Sequence, residues 1–238
     1  MSSSKSSRLM ESWLTSMSSK SFDDIRQSLQ QSAKIIQWFK YAIGTVRPTQ
    51  IPHMQQIPIL PESDQILGSR AKWQYNGEER PVFAEPTTET QTSVWDFPRP
   101  PIIEPVSAVL RVFNAKTLIA ETEKGVRVME TAGAPTYYFP PSDVRMDLVG
   151  LGEMASICEW KGVAQALHVD GVKDAGWRYV RMFEAFAELY EWPSFYPKSL
   201  LCFVDTELAT HQPGGFYGGW VTNELTGPIK GRPGTEEW

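Results

Sequence analysis

The residues best able to do chemistry lie between Gly125 and Gly162, where Glu130, Tyr138, Cys158 and Lys161 fall close together in the chain. Glu130 ends the run Val126-Arg127-Val128-Met129, the period-two pattern of a strand, on the face that Val126 and Val128 turn inward. A carboxylate aimed at a core is costly unless it is paired, hydrogen-bonded or protonated, so a partner for Glu130 is expected elsewhere in the chain. Tyr138 sits in Thr136-Tyr137-Tyr138-Phe139, a strand-forming run stopped by Pro140-Pro141, and a buried tyrosine hydroxyl also needs a partner. Alternation sends Tyr137 and Phe139 to one side of that strand and Thr136 and Tyr138 to the other.

Cys158 and Lys161 are separated by a single turn, Glu159-Trp160-Lys161-Gly162. An ammonium beside a thiol favours the thiolate, the nucleophilic form, which makes Cys158 a candidate nucleophile with His168 or Glu130 as base. The competing reading is a buried small hydrophobe next to a solvated lysine. Asp143 and Asp147 have the spacing to share one face of a helical turn after Ser142. Cys158, Cys202, His168 and His211 contain no local ligand pair of the kind zinc sites use, so no metal site is expected. Neither a GxxxxGK[ST] loop nor a GxGxxG after a strand occurs, and no cofactor is expected.

These residues need a scaffold, and the 238-residue chain is long enough for one substantial core plus an appendage. A formal charge of -5 argues against a nucleic-acid partner, and two cysteines do not make a disulfide framework. No apolar run approaches the roughly 20 residues needed to cross a bilayer, and the N-terminus has no secretory h-region. A cytoplasmic protein is the expectation, with an organelle the alternative suggested by the Ser-rich start bearing Lys5, Arg8 and Lys20.

Residues 1–47 read as a helical extension. Leu9, Met10, Trp13, Leu14 and Met17 recur at helical spacing, and Ser21 with Asp24 resembles a capping box opening a second helix. Its stripe of Phe22, Ile25, Leu29, Ile36, Phe39 and Ile43 ends at Gly44 and Pro48. The β domain, a partner or a second copy of the chain has to cover that stripe. Residues 48–72, with His53 among them, read as a proline-punctuated linker.

From residue 73 to 238 short strands and breakers dominate. Asn76-Gly77 suggests a hairpin-like turn, and 81–92 reads as irregular chain. Strands are expected over 108–113, 118–121, 126–130, 136–139, 163–169 and 199–204, with a helix over 182–191. The fold class is mainly β, α+β overall: a compact antiparallel barrel or sandwich-like domain with one or two short helices. In the tail, glycines let Phe216, Tyr217, Trp220 and Trp238 fold back as a lid or plug.

Four stretches carry a family resemblance: SVWDFPRPPIIEP, VMETAGAPTYYFPPSDVRMDL, CEWKG and QPGGFYGGWVTNELTGPIKGRPGT. Together they resemble the domain of unknown function 427 family, some of whose catalogue labels read nucleotidyltransferase. The resemblance runs from about Trp73 to Trp238 and implies a compact, mainly β domain without implying an established activity. Relatives carry an aromatic pair after the Cys-x-x-Lys-Gly turn, where this chain has Ala166-Leu167 followed by His168. They carry an Ala-Trp-Ser-Tyr-Pro run where this chain has Gly176-Trp177-Arg178-Tyr179-Val180.

The reading reached is a β domain with a pocket for a small anionic or phosphorylated molecule, lined by Glu130, Tyr138, Cys158, Lys161 and Trp177. Nucleotidyl transfer, Cys158-based catalysis and a protein-interaction module built on the N-terminal helices are the alternatives.

Overall fold

A computed structural model describes residues 57–238, which belong to one compact unit beginning at Gln56. The helical extension over 1–47, His53 and the first part of the linker lie outside the described residues. The described part of the linker is not wholly extended chain. Asp64–Arg70 forms an α-helix opened by Ser63, whose hydroxyl accepts the Ile66 amide. Before it, Pro58 and Leu60 exchange backbone hydrogen bonds with Met182, and at its last residue Arg70 donates to the Glu159 carbonyl.

The fold is mainly β, and among the described residues the strands lie in five separate sheets that do not close into a barrel. This corrects one of the two closures expected from the strand pattern: the two largest sheets both end in edge strands. The longest strands form one of them, with Val149–Cys158, Gly162–Val169 and Val172–Met182 running as two successive hairpins. Ser194–Phe195 pairs with Trp177 and Gly176 along its far side. Val172–Met182 was not expected as a single strand, because its polar and small residues break the alternation that 163–169 displays. Leu201–Val204 lies inside a second four-stranded sheet beside Leu110–Asn114 and Glu207–Leu208, as its apolar run implied.

A three-stranded sheet of Ile102–Pro105, Val126–Met129 and Thr136–Tyr138 lies between two cores. Tyr137 and Phe139 enter one core with Phe195 and Trp220; Tyr138 enters the other with Trp177 and Tyr179. Alternation therefore sorts these rings as expected, and both faces are buried. Trp220 is fully buried and its indole donates to the Phe195 carbonyl, so this tail residue acts as a plug. Trp238 stacks on Phe83 and meets Trp95 edge-on in a third cluster.

Of three further local expectations, one holds in part and two fail. The helix expected over 182–191 is present as the shorter 3₁₀ helix Glu184–Leu189, and Tyr190 and Glu191 bring the chain back against Tyr179. Asn76-Gly77 makes no hairpin, since the Asn76 side chain caps the Glu78 amide and Gly77 presses on the Phe97 carbonyl. Asp143 and Asp147 stand on separate 3₁₀ turns, Asp143 accepting from Thr122 and Asp147 pairing with Arg145.

Candidate functional site

The partner sought for Glu130 is three cations. Glu130 follows the strand Val126–Met129, and its carboxylate lies 3.2 Å from Arg99, 3.7 Å from Lys161 and 4.0 Å from Lys230. Burial works against the charge on Glu130, but Lys161, Lys230 and Arg99 outweigh it and hold the carboxyl below its ordinary range. Burial likewise opposes the charge on Lys161, and Cys158 and Glu130 outweigh it, so the ammonium is held above the usual lysine range. Lys230 is lowered, chiefly by burial and by the like charge of Arg99. Its ammonium lies 4.3 Å from the Trp73 ring and 4.8 Å from the Tyr217 ring, faces that favour the cation.

Each cation is delivered by a different element. Arg99 is clamped by the carbonyls of Tyr75, Thr131 and Trp238, and its guanidinium stacks 4.3 Å from Trp73. Lys161 occupies the turn between two long strands, which closes at Gly162 with φ 130°; a Cβ there would stand 2.1 Å from the Arg181 carbonyl oxygen. Only glycine fits so tight a crossing. Lys230 comes from the tail, tied by its amide to Ala132 and by its carbonyl to the side chain of Gln212. Gln212 also accepts from the Ala134 amide, so one buried glutamine joins the tail to the turn after Glu130.

These groups line a cleft of about 1150 Å³. Glu130, Tyr138, Cys158, Lys161 and Trp177, the five residues named from sequence, all face it. Arg99 stands behind its floor. Glu159 also lines the cleft and accepts from the Trp73 indole at 2.8 Å. Around the cleft Lys161, Lys173, Lys198 and Lys230 balance Glu130, Glu153, Glu159 and Asp174, and Arg99 behind the floor adds one positive charge beside Glu130. Trp177 packs on Tyr196 with centroids 4.6 Å apart, and Gly218 lies so close that a Cβ would be 2.1 Å from the Trp177 ring. The glycine-rich tail thus forms part of the cleft wall, and Tyr217 faces the cavity while Phe216 is exposed at its edge.

Two hydroxyls on the cleft lining are buried without a hydrogen-bond partner, Tyr138 and Thr136. Burial pushes the Tyr138 hydroxyl up, and Thr136 and Trp177 stand near it without bonding geometry. Where relatives are expected to carry an aromatic pair, Ala166 and His168 face the cleft and Leu167 is buried behind them. His168 accepts the Asp174 amide at its Nδ1. Cys202 is fully buried in the opposite core from Cys158, so the two cysteines do not join in a common site. Among the described residues, no group of three or more His, Cys, Asp or Glu could hold a metal ion.

Sequence reasoning did not place Trp73, Arg99, Gln212 or Lys230 in the site. The one signal it had was the unpaired inward carboxylate of Glu130, which demanded cations without saying which. No curated protein matches the chain. Residues 102–209 match the model of the family described as Domain of unknown function (DUF427).

Proposed function

We propose that the cleft binds a small anionic molecule, its carboxylate or phosphate against Lys161 and Lys230 and its apolar or planar body against Trp177 and Tyr196. The observation that carries this reading is the surplus positive charge around Glu130 at the cleft floor. In a partly enclosed site such charge is screened less than on a surface and favours an incoming anion. A mixed lining of aromatic rings and a few fixed polar groups is typical of ligand pockets.

Nucleotidyl transfer, the activity named by the family label, calls for carboxylates arranged to hold cations on a triphosphate. Asp143 and Asp147 do not face the cleft, and Glu130 is already engaged by three cations. Anion binding therefore has more support than nucleotidyl transfer. The N-terminal stripe over 22–43 is proposed as a docking face for a partner or a second copy, and light scattering of the full chain with and without residues 1–56 tests it.

The test of the cleft is a thermal-shift screen of the full chain against inorganic phosphate, small carboxylates, nucleotides and phosphorylated sugars. A ligand at 100 times its dissociation constant adds about 2.7 kcal/mol of stability. The expected result is a shift that Lys161→Ala abolishes. A wild-type protein unmoved by every anion refutes the reading.

A further inference from the structure

Cys158 ends the strand Val149–Cys158 and pairs across the turn with Gly162, which returns Lys161 beside it. The thiol is half-buried and faces the cleft. Lys161 and Tyr179 line the cleft with it. The Lys161 ammonium sets a fixed positive charge on the same cleft wall, which favours an incoming anion. Lys161 keeps its own charge because Glu130 lies 3.7 Å away.

A second, independent observation points to a ligand at the same place. Tyr138 is completely buried, its hydroxyl has no partner, and it lines the cleft with Cys158 and Lys161. A buried donor left unmade is costly, and an acceptor atom entering beside Cys158 would relieve it. The floor thus combines a nucleophile, a fixed cation and an unused donor.

We propose that Cys158 is a nucleophilic thiol that bonds covalently to a small electrophile bearing a carboxylate or phosphate, with Lys161 and Tyr138 holding the anionic group. The inference rests on the reading of the cleft as an anion site. In the step, the thiol proton passes to water and a sulfur electron pair forms the bond to the electrophilic carbon. The leaving group departs with the electron pair of the bond that breaks. Cys202, buried in the other core, takes no part.

Iodoacetate and iodoacetamide test this, because they share a leaving group and differ by one charge. The full chain is alkylated with each near neutral pH, rates are followed by intact mass, and the site is found by peptide mapping. The expected product is a single adduct at Cys158. The iodoacetate-to-iodoacetamide rate ratio should exceed that of the neutral thiol 2-mercaptoethanol by about tenfold or more, the effect of a focused positive field. Lys161→Met should return the ratio to the free-thiol value, while Lys161→Arg, which keeps the charge, should retain most of it.

A wild-type ratio no greater than that of 2-mercaptoethanol overturns the proposal, as does a Cys158 inert to both reagents. These failures are distinct from failure of the cleft as an anion site. An inert Cys158 in a protein that phosphate still stabilises removes the thiol chemistry and leaves the binding reading intact. A raised ratio in a protein that no reversible anion stabilises upholds the thiol and restricts the cleft to anions that bond to it.

Discussion

Glu130→Gln removes the carboxylate that Arg99, Lys161 and Lys230 share, in a side chain of nearly the same shape. The three cations stand 3.2, 3.7 and 4.0 Å from it, with side chains 2%, 10% and 4% exposed. Removing one partner of a buried pair costs about 3–5 kcal/mol, because the remaining charge stays buried without compensation. The Glu130 side chain is itself 19% exposed at the cleft floor, so water can partly solvate the vacated spot, and about 3 kcal/mol is the expected loss. For a folded unit of this size that is about 6–12 °C in melting temperature.

The same substitution raises the net charge at the floor, which gives the experiment a second arm of opposite sign. Phosphate should stabilise Glu130→Gln more than it stabilises the wild type, since an added anion takes the place of the missing carboxylate. The assay is thermal denaturation of both full-length proteins at pH 7 and low salt, in chloride buffer and with a phosphate titration. A variant melting within about 1 °C of wild type would show that the three cations do not depend on Glu130. A phosphate response no larger than that of the wild type would refute the charge argument even if stability falls.

The pH dependence follows from the lowered carboxyl of Glu130. The folded form binds fewer protons there than the unfolded chain, so this stability is present above the ordinary glutamate value of about 4.3 and is lost as pH falls through the lower folded value. Melting temperatures from pH 7 to pH 3 should converge for wild type and Glu130→Gln at the acid end, and a constant gap would contradict the assignment. Gly218→Ala places a methyl 2.1 Å from the Trp177 ring and should destabilise by about 1–3 kcal/mol in urea denaturation; an unchanged midpoint would mean that the tail segment does not pack on that ring. Trp220→Phe leaves the buried Phe195 carbonyl without its indole donor and should cost about 1–3 kcal/mol, read the same way, with a neutral result denying the plug role. A thiol-reactive dye should titrate one cysteine, Cys158, in the native protein and both after unfolding in guanidinium, because burial keeps Cys202 from the reagent and pushes its thiol up; two reactive thiols in the native state would show that the core around Cys202 opens.

Local pattern in the sequence was enough to place the strands at 126–129 and 136–138, the inward carboxylate of Glu130 and the sorting of Tyr137 from Tyr138, since period-two alternation fixes side-chain direction within a strand. The Cys158–Lys161 turn was equally readable, because both residues and the glycine that closes it lie within five positions. Tertiary structure alone decided which cations answer Glu130. Arg99 lies 31 residues upstream between prolines, and Lys230 lies in a glycine-rich tail whose composition suggested only packing. It also decided that the sheets stay open and that 184–189 winds as a 3₁₀ segment. Periodicity records which way a side chain points, whereas pairing at a distance depends on how separate strands and loops are brought together, and charge attraction is indifferent to sequence separation.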